Sequence, residues 1–173
     1  KSFALKKNKN IKKNITNKIK FPIVIKPINE GSSLGVYICK NVKTLEKKYK
    51  KLSKNYNRVL FEKYIPGREI QVAVMGNKAI GAIELVPKRQ FYDYTAKYSS
   101  KAKTKHIMPA PINKKKYNEV LKIAKKAHKS LGCKGITRSD FRFYNNKFYL
   151  LETNTQPGMT KLSLVPEIAK YKG

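Results

Sequence analysis

Three observations predict an α+β protein. Short runs rich in β-branched residues are joined in pairs by tight polar turns at Gly76-Asn77 and Asn145-Asn146, the pattern of antiparallel hairpins. Two other segments carry apolar residues at helical spacing with lysine on the opposite side. Hairpins with intervening helices argue against a doubly wound parallel sheet. With 173 residues and 40% hydrophobic composition, the chain has room for one large domain or two small ones, each with its own core.

The elements follow in order. Residues 1–20 are rich in Lys and Asn and read as a loop or a polar helix. Residues 21–26 (FPIVIK) read as a strand that Pro27 ends, and 29–33 as a Gly/Ser loop. A strand over 34–40 would complete a hairpin. Residues 42–54 place Leu45, Tyr49 and Leu52 at helical spacing. A strand follows at 58–62, and Pro66-Gly67 marks a break and a candidate hinge. Residues 68–75 and 78–85 form the next hairpin. Residues 87–105 read as a long polar loop bearing aromatics, and loops of that length are functional or disordered. A helix over 113–131 presents Tyr117, Val120, Leu121, Ala124 and Leu131 on one face. Strands at 134–144 and 147–153 flank Asn145-Asn146. A loop containing Pro157-Gly158 and a short helix near 165–170 finish the chain. No internal repeat is visible.

The formal charge is +30, from 40 basic and 10 acidic residues. A basic surface can bind nucleic acid. Here 35 of the 40 are Lys, spread evenly, and the five Arg do not cluster in sequence. Arg is the residue of bidentate phosphate and base contacts, so the pattern favours a solubilising surface over a polyanion footprint. No stretch is long and apolar enough for a membrane span. Cys39 and Cys133 are far apart and lack CxxC spacing; two buried reduced thiols fit a cytoplasmic protein. His106 and His128 have no partner at ligand spacing and read as surface or polar-face residues.

The scarce acids concentrate in unusual stretches, where chemistry is expected. Asp140 and Glu152 lie on paired strands, with Asn154 two residues on and on Glu152's face. Their oxygens suit a hard cation such as Mg²⁺. Arg138 shares Asp140's face and could meet developing negative charge. A two-residue loop at Asn145-Asn146 would set Asp140 opposite Leu151 and leave Glu152 on the other face. Facing ligands therefore require one extra residue, expected in a three-residue or bulged turn that includes Lys147. Lys26 before NEGSSLG could hold phosphate with the backbone N–H groups of the loop, or be an ordinary hairpin lysine. Glu62 and Glu69 bracket Pro66-Gly67, either at a nucleotide hinge or as solvated strand-end acids.

Taken in order, IVIKPINEGSSLGV, FEKYIPGREIQVAV, FYDYTAKY, LGCKGITRSDF and LLETNTQPGMTKLSLVPE resemble the D-alanine–D-alanine ligases of the ATP-grasp family. The resemblance implies two α+β subdomains with largely antiparallel sheets sandwiching ATP: residues 1–65 as the central subdomain and 66–173 as the C-terminal one, with 88–105 a mobile lid. Carried over residue by residue, Lys26 resembles the phosphate lysine, and Ser32 and Ser33 the loop covering the phosphates. Glu62, Lys63 and Ile65 resemble the adenine hinge, Glu69 the ribose acid, and Lys97 the second phosphate lysine. Tyr98 resembles the cap of the second-substrate pocket, where Ser163 and Leu164 would take a carboxylate. Asp140, Glu152 and Asn154 resemble the ligands of Mg²⁺ (or Mn²⁺), and Arg138 and Gly158 the stabilisers of a tetrahedral intermediate, with Ser32 and Tyr98 supporting catalysis. The implied activity joins two D-alanines with ATP through an acyl phosphate, for peptidoglycan synthesis. A homodimer is compatible with it; a nucleic-acid or membrane partner is not expected. D-alanine–D-lactate ligases are the nearest alternative, and a basic nucleic-acid-binding module is the alternative from another class. The family's N-terminal substrate domain and a last helix find no counterpart, so this stretch is expected to be inactive alone.

Overall fold

The computed structural model describes residues 2–6, 11, 15, 17–31, 33–87 and 104–173. The chain divides into two compact units, with Tyr64 in the first and Ile65 opening the second.

In the first unit, β1 (Ser2–Lys6), β2 (Ile23–Pro27), β3 (Tyr37–Cys39) and β4 (Arg58–Lys63) form an antiparallel sheet in the order β1-β4-β2-β3. Alternation decides its faces. Ile23, Ile25, Val59 and Phe61 are buried, while Val24, Lys26, Leu60 and Glu62 are half-exposed. Helix α1 (Val42–Leu52) covers the apolar face with Leu45, Tyr49 and Leu52, as its spacing predicts. Asn41 caps it: its side chain accepts from the Thr44 N–H at 2.9 Å, and Thr44 reaches back to the Asn41 N–H. Ile11, Ile15 and Ile19, four residues apart, join the same core.

Two expectations change here. The basic start of the chain contributes β1, an edge strand paired with β4; that pairing is tertiary and has no local signal. The strand expected over 34–40 shortens to three residues, because Ser33 and Gly35 take positive φ (62° and 69°) and turn the chain first.

The second unit holds β5 (Arg68–Met75), β6 (Lys78–Val86), β7 (Lys105–Ile107), β8 (Ile136–Tyr144) and β9 (Lys147–Asn154), antiparallel in the order β7-β6-β5-β8-β9. Strand β7 occupies the end of the segment expected to be a loop; residues 88–103 lie outside the described part. Helix α2 (Lys114–Ser130), N-capped by Asn113, packs Val120 and Ala124 on Ile70, Val72, Val74, Ala82 and Phe141. Helix α3 (Leu164–Lys172) buries Leu164, Val165 and Ile168 and lies against β6 and β5. At Gly67 φ is +105°, and a Cβ would run into the Phe143 carbonyl. The Pro66-Gly67 break therefore needs glycine.

Candidate functional site

Register places the acids of the second unit. Glu69 pairs with Arg142, Gln71 with Asp140 and Ala73 with Arg138 across β5–β8. Asp140 pairs with Glu152 and Arg138 with Asn154 across β8–β9. Residues two apart on a strand share a face, as do direct cross-strand partners. Glu69, Gln71, Arg138, Asp140, Arg142, Glu152 and Asn154 therefore share the face opposite the α2 core.

The turn before β9 differs from expectation. Tyr144 pairs with Lys147, and Asn145 and Asn146 have φ of 47° and 59°. This is a two-residue loop with both central residues left-handed, which Asn tolerates. The extra residue lies further along. Phe141 pairs with Leu150 while Asp140 pairs with Glu152, so Leu151 bulges out of β9. A bulge beside the site re-aims the strand and sets Glu152 opposite Asp140.

Each buried acid on this face has a guanidinium partner. Arg138 grips Asp140 through Nε at 2.7 Å and Nη2 at 3.0 Å. Arg142 Nη2 lies 3.1 Å from Glu69 Oε2, and its Nη1 donates to the Gly67 carbonyl at 3.1 Å. On the core side Arg68 forks onto Glu84 at 2.7 and 2.6 Å. Arginines scattered in sequence thus meet on the neighbouring strands β5 and β8, each on a carboxylate. A buried carboxylate without a partner is costly, and at Asp140 and Glu84 the planar fork satisfies both oxygens.

Of the remaining expected residues of this unit, Asn154 ends β9 and Gly158 lies against Ser163 at the start of α3. Asn154 Oδ1 accepts from the Gln156 N–H at 2.9 Å. The missing Cβ of Gly158 leaves space for Ser163, whose Oγ would lie 2.8 Å from it. Ser163 is the N-cap residue of α3, but its side chain makes no cap bond. Its Oγ instead accepts from Thr160 N–H at 3.1 Å and meets Thr160 Oγ1 at 2.9 Å. Leu164 is buried.

In the first unit, Lys26 Nζ pairs with Glu62 Oε2 at 2.8 Å across the half-exposed face of β2 and β4. Lys63 is exposed, and Ser33 holds positive φ in the loop. The Tyr56 hydroxyl donates to Glu30 at 2.9 Å, tethering the root of that loop, and the Glu30 carboxylate pushes the phenol's pKa up. Ile65, half-buried, opens the second unit. Ser32, Lys97, Tyr98 and most of the expected lid lie outside the described residues.

His128 corrects a surface assignment. It is buried, with Nδ1 2.8 Å from Thr137 Oγ1. Its four-residue spacing from Ala124 and Val120 was the available signal. His106 Nδ1 lies 2.7 Å from Glu167 Oε2. Cys39 is buried and Cys133 only partly so, and both thiols are free. The sequence reading also missed Arg142 and Gln71, whose positions only register reveals.

Among the described residues no three His, Cys, Asp or Glu side chains cluster as a metal site; the oxygen groups that register brings together are Asp140, Glu152 and the Asn154 amide. They offer oxygen only, on one face, as hard divalent cations require. In the same row, Gln71 Oε1 is buried without a hydrogen-bond partner among the described residues. The residues fit such a cation. No described helix is long and apolar enough to cross a membrane.

The whole chain, residues 1–173, matches the family described as D-ala D-ala ligase C-terminus. It is 63% identical over 172 residues to a D-alanine–D-alanine ligase of Pelagibacter ubique (strain HTCC1062), covering 99% of this chain and 56% of that protein. Against the D-alanine–D-alanine ligase of Wolbachia pipientis wMel the identity is 47%, covering 98% and 54%. The fold matches a Bacillus anthracis D-alanine–D-alanine ligase with TM-score 0.85 at 30% identity, covering 99% of this chain and 56% of that one. The same enzyme complexed with ATP gives 0.81 at 26%, covering 99% and 54%. The VanG D-Ala:D-Ser ligase of Enterococcus faecalis gives 0.85 at 29%, covering 98% and 51%. The α+β architecture with two antiparallel sheets is that of these ATP-grasp structures. The chain spans about half the length of the relatives it matches.

Proposed function

This chain belongs to the D-ala D-ala ligase C-terminus family, and on that premise we propose that it carries the nucleotide and metal machinery of a ligase joining two D-alanines at the expense of ATP. The observation that carries this is the Leu151 bulge, which sets Glu152 opposite Asp140 on one face with Arg138 and Asn154. A sheet built only for stability has no need of that arrangement.

The reaction has two steps. The carboxylate of one D-alanine attacks the γ-phosphorus of ATP, forming an acyl phosphate and releasing ADP. The amine of a second D-alanine then attacks the acyl carbon; phosphate leaves and the amine loses a proton. Positioning and charge neutralisation supply most of the rate. Asp140, Glu152 and Asn154 would hold Mg²⁺ or Mn²⁺, which when bound neutralises phosphate charge.

The chain's own groups do the rest. Lys26 and Lys97 attract phosphate oxygens, and Ser32 and Ser33 cover them. Glu62, Lys63 and Ile65 meet the adenine, and Glu69 accepts from a ribose hydroxyl. Arg138, already fixed by its fork on Asp140, needs little reorganisation to face an oxyanion, and the Gly158 N–H is a second donor. Ser163 and Leu164 open α3, where free N–H groups favour the carboxylate of the second D-alanine. Tyr98 is assigned to the second substrate by the family resemblance alone. The two units, which divide between Tyr64 and Ile65, serve as the central and C-terminal subdomains. Peptidoglycan precursor synthesis, a cytoplasmic location and a homodimer belong to the same proposal.

The test is phosphate release by the intact protein with ATP, Mg²⁺ and D-alanine, repeated with D-serine or D-lactate as second substrate. D-alanine-dependent release is expected. Release that ignores D-alanine would overturn the proposal. Preference for D-serine or D-lactate would reassign the second substrate.

A further inference from the structure

We propose that Gln71 is a positioning residue of the nucleotide–metal face, its amide oxygen accepting a hydrogen bond from a water bound to the divalent cation. The inference rests on the function proposed above and deepens it.

Gln71 is out of place in its strand. Its neighbours Ile70, Val72, Ala73 and Val74 are apolar and buried, and Gln71 itself is 1% exposed. Among the described residues its Oε1 has no hydrogen-bond partner. An acceptor left buried and unpaired is destabilising. An apolar side chain would avoid that cost, so a purely structural role does not explain the residue.

Register says where the orphaned oxygen belongs. Gln71 is the direct cross-strand partner of Asp140, and Asp140 of Glu152. Side chains paired in this way start about 4.5–5.5 Å apart. The amide has a preferred sense: Nε2 lies 3.5 Å from Glu69 Oε1, a long contact. Reversing the amide would set oxygen against oxygen. Oε1 is therefore the end left for a donor, in the row of the two carboxylates.

The donor is chosen by chemistry. Hard cations, Mg²⁺ above all, keep several waters when they bind carboxylates and phosphates. Those waters are strong O–H donors that need acceptors. Outer partners of this kind alter metal affinity by about 10–100-fold. A ribose hydroxyl is the competing donor, because Glu69 stands two residues away on the same face.

The experiment uses the intact protein with Mn²⁺ as probe, its binding followed by electron paramagnetic resonance with ADP present. Gln71→Leu removes the amide; Gln71→Met does so with nearly the original length and serves if the first variant fails to fold. Either should weaken Mn²⁺ binding about tenfold. ADP affinity without metal should stay unchanged, and the melting temperature of the ligand-free protein should hold or rise. Gln71→Glu, which keeps an acceptor, should bind Mn²⁺ at least as well as the parent. Unchanged Mn²⁺ affinity in the Leu and Met variants would overturn the inference alone. An equal loss of metal-free ADP binding would overturn it in favour of the ribose. A parent protein that binds no Mn²⁺ with ADP would overturn the functional proposal as well.

Discussion

The two sheets hold their carboxylates in different ways. In the first, Glu62 meets Lys26 on a face where both side chains keep about a fifth to a quarter of their exposure, 25% and 21%. In the second, Asp140 and Glu69 retain 7% and 10%, and each meets an arginine. A chain that uses Lys at 35 of 40 basic positions thus places Arg138, Arg142 and Arg68 where an acid is buried. The reason is solvation. An ammonium is strongly hydrated and suits an exposed point contact; a guanidinium is weakly hydrated and satisfies a carboxylate with two parallel bonds. The comparison teaches where this molecule needs geometry and where it needs only charge.

The largest effect should come from Glu152→Gln in the intact protein. It removes a carboxylate charge, keeps the volume and leaves the Leu151 bulge in place. Turnover measured by phosphate release should fall at least about a hundredfold, with an unchanged melting curve, since such a charge is worth several kcal/mol at the reacting phosphate. Near-normal turnover would remove the functional distinction between the two sheets.

Stability sharpens the contrast next. Asp140→Ala leaves Arg138 without its carboxylate and should cost about 3 kcal/mol. Glu62→Ala breaks a half-exposed Lys contact and should cost about 1 kcal/mol or less. Urea unfolding of the two variants measures both. Equal losses would show that the guanidinium fork has no special weight.

A smaller loss is expected at the turn that leads into the bulged strand. Asn146 has φ of 59°, so Asn146→Ala should cost about 1 kcal/mol, because alanine keeps the Cβ that crowds the carbonyl in the left-handed region and lacks the amide that lets Asn hydrogen-bond locally there. Asn146→Gly should stabilise slightly, and denaturant midpoints would show the opposite signs.

The subtlest contrast lies in the thiols. Burial raises the pKa of Cys39 in the first sheet, with Lys48 opposing weakly. A raised thiol pKa favours the neutral folded form. Its contribution is therefore complete below the pKa of the unfolded thiol and is lost as pH rises toward the folded value. Stability should fall on the alkaline side, and less so in Cys39→Ala after correction for packing. Partly exposed Cys133 should be alkylated first in the native protein, with Cys39 protected until unfolding. Simultaneous modification would contradict that order.

Legibility followed the range of the interaction. Helix α1 was readable because Leu45, Tyr49 and Leu52 recur at helical spacing, all within one segment. The β5–β6 hairpin was readable because Gly76-Asn77 is a turn signal between alternating runs. Strand β1 was not, since its pairing with β4 crosses more than fifty residues and its own residues look like a basic tail. His128 was misread because a polar residue on a helix defaults to the solvent side, although its spacing placed it on the buried face.

The sequence by itself determined the helices over 42–52 and 114–130, the β5–β6 hairpin, and the grouping of Asp140, Glu152, Asn154 and Arg138, because those depend on local propensity and the two-residue period of a strand. It also required that one extra residue separate the turn from Glu152. Only the tertiary structure decided where that residue goes. Asn145 and Asn146 close a tight turn unaided, so the surplus moves to Leu151, beside the site. Tertiary pairing likewise set Gln71 opposite Asp140 and Arg142 opposite Glu69, for register between strands β5 and β8 is a balance of burial over the whole sheet, and no single segment encodes it.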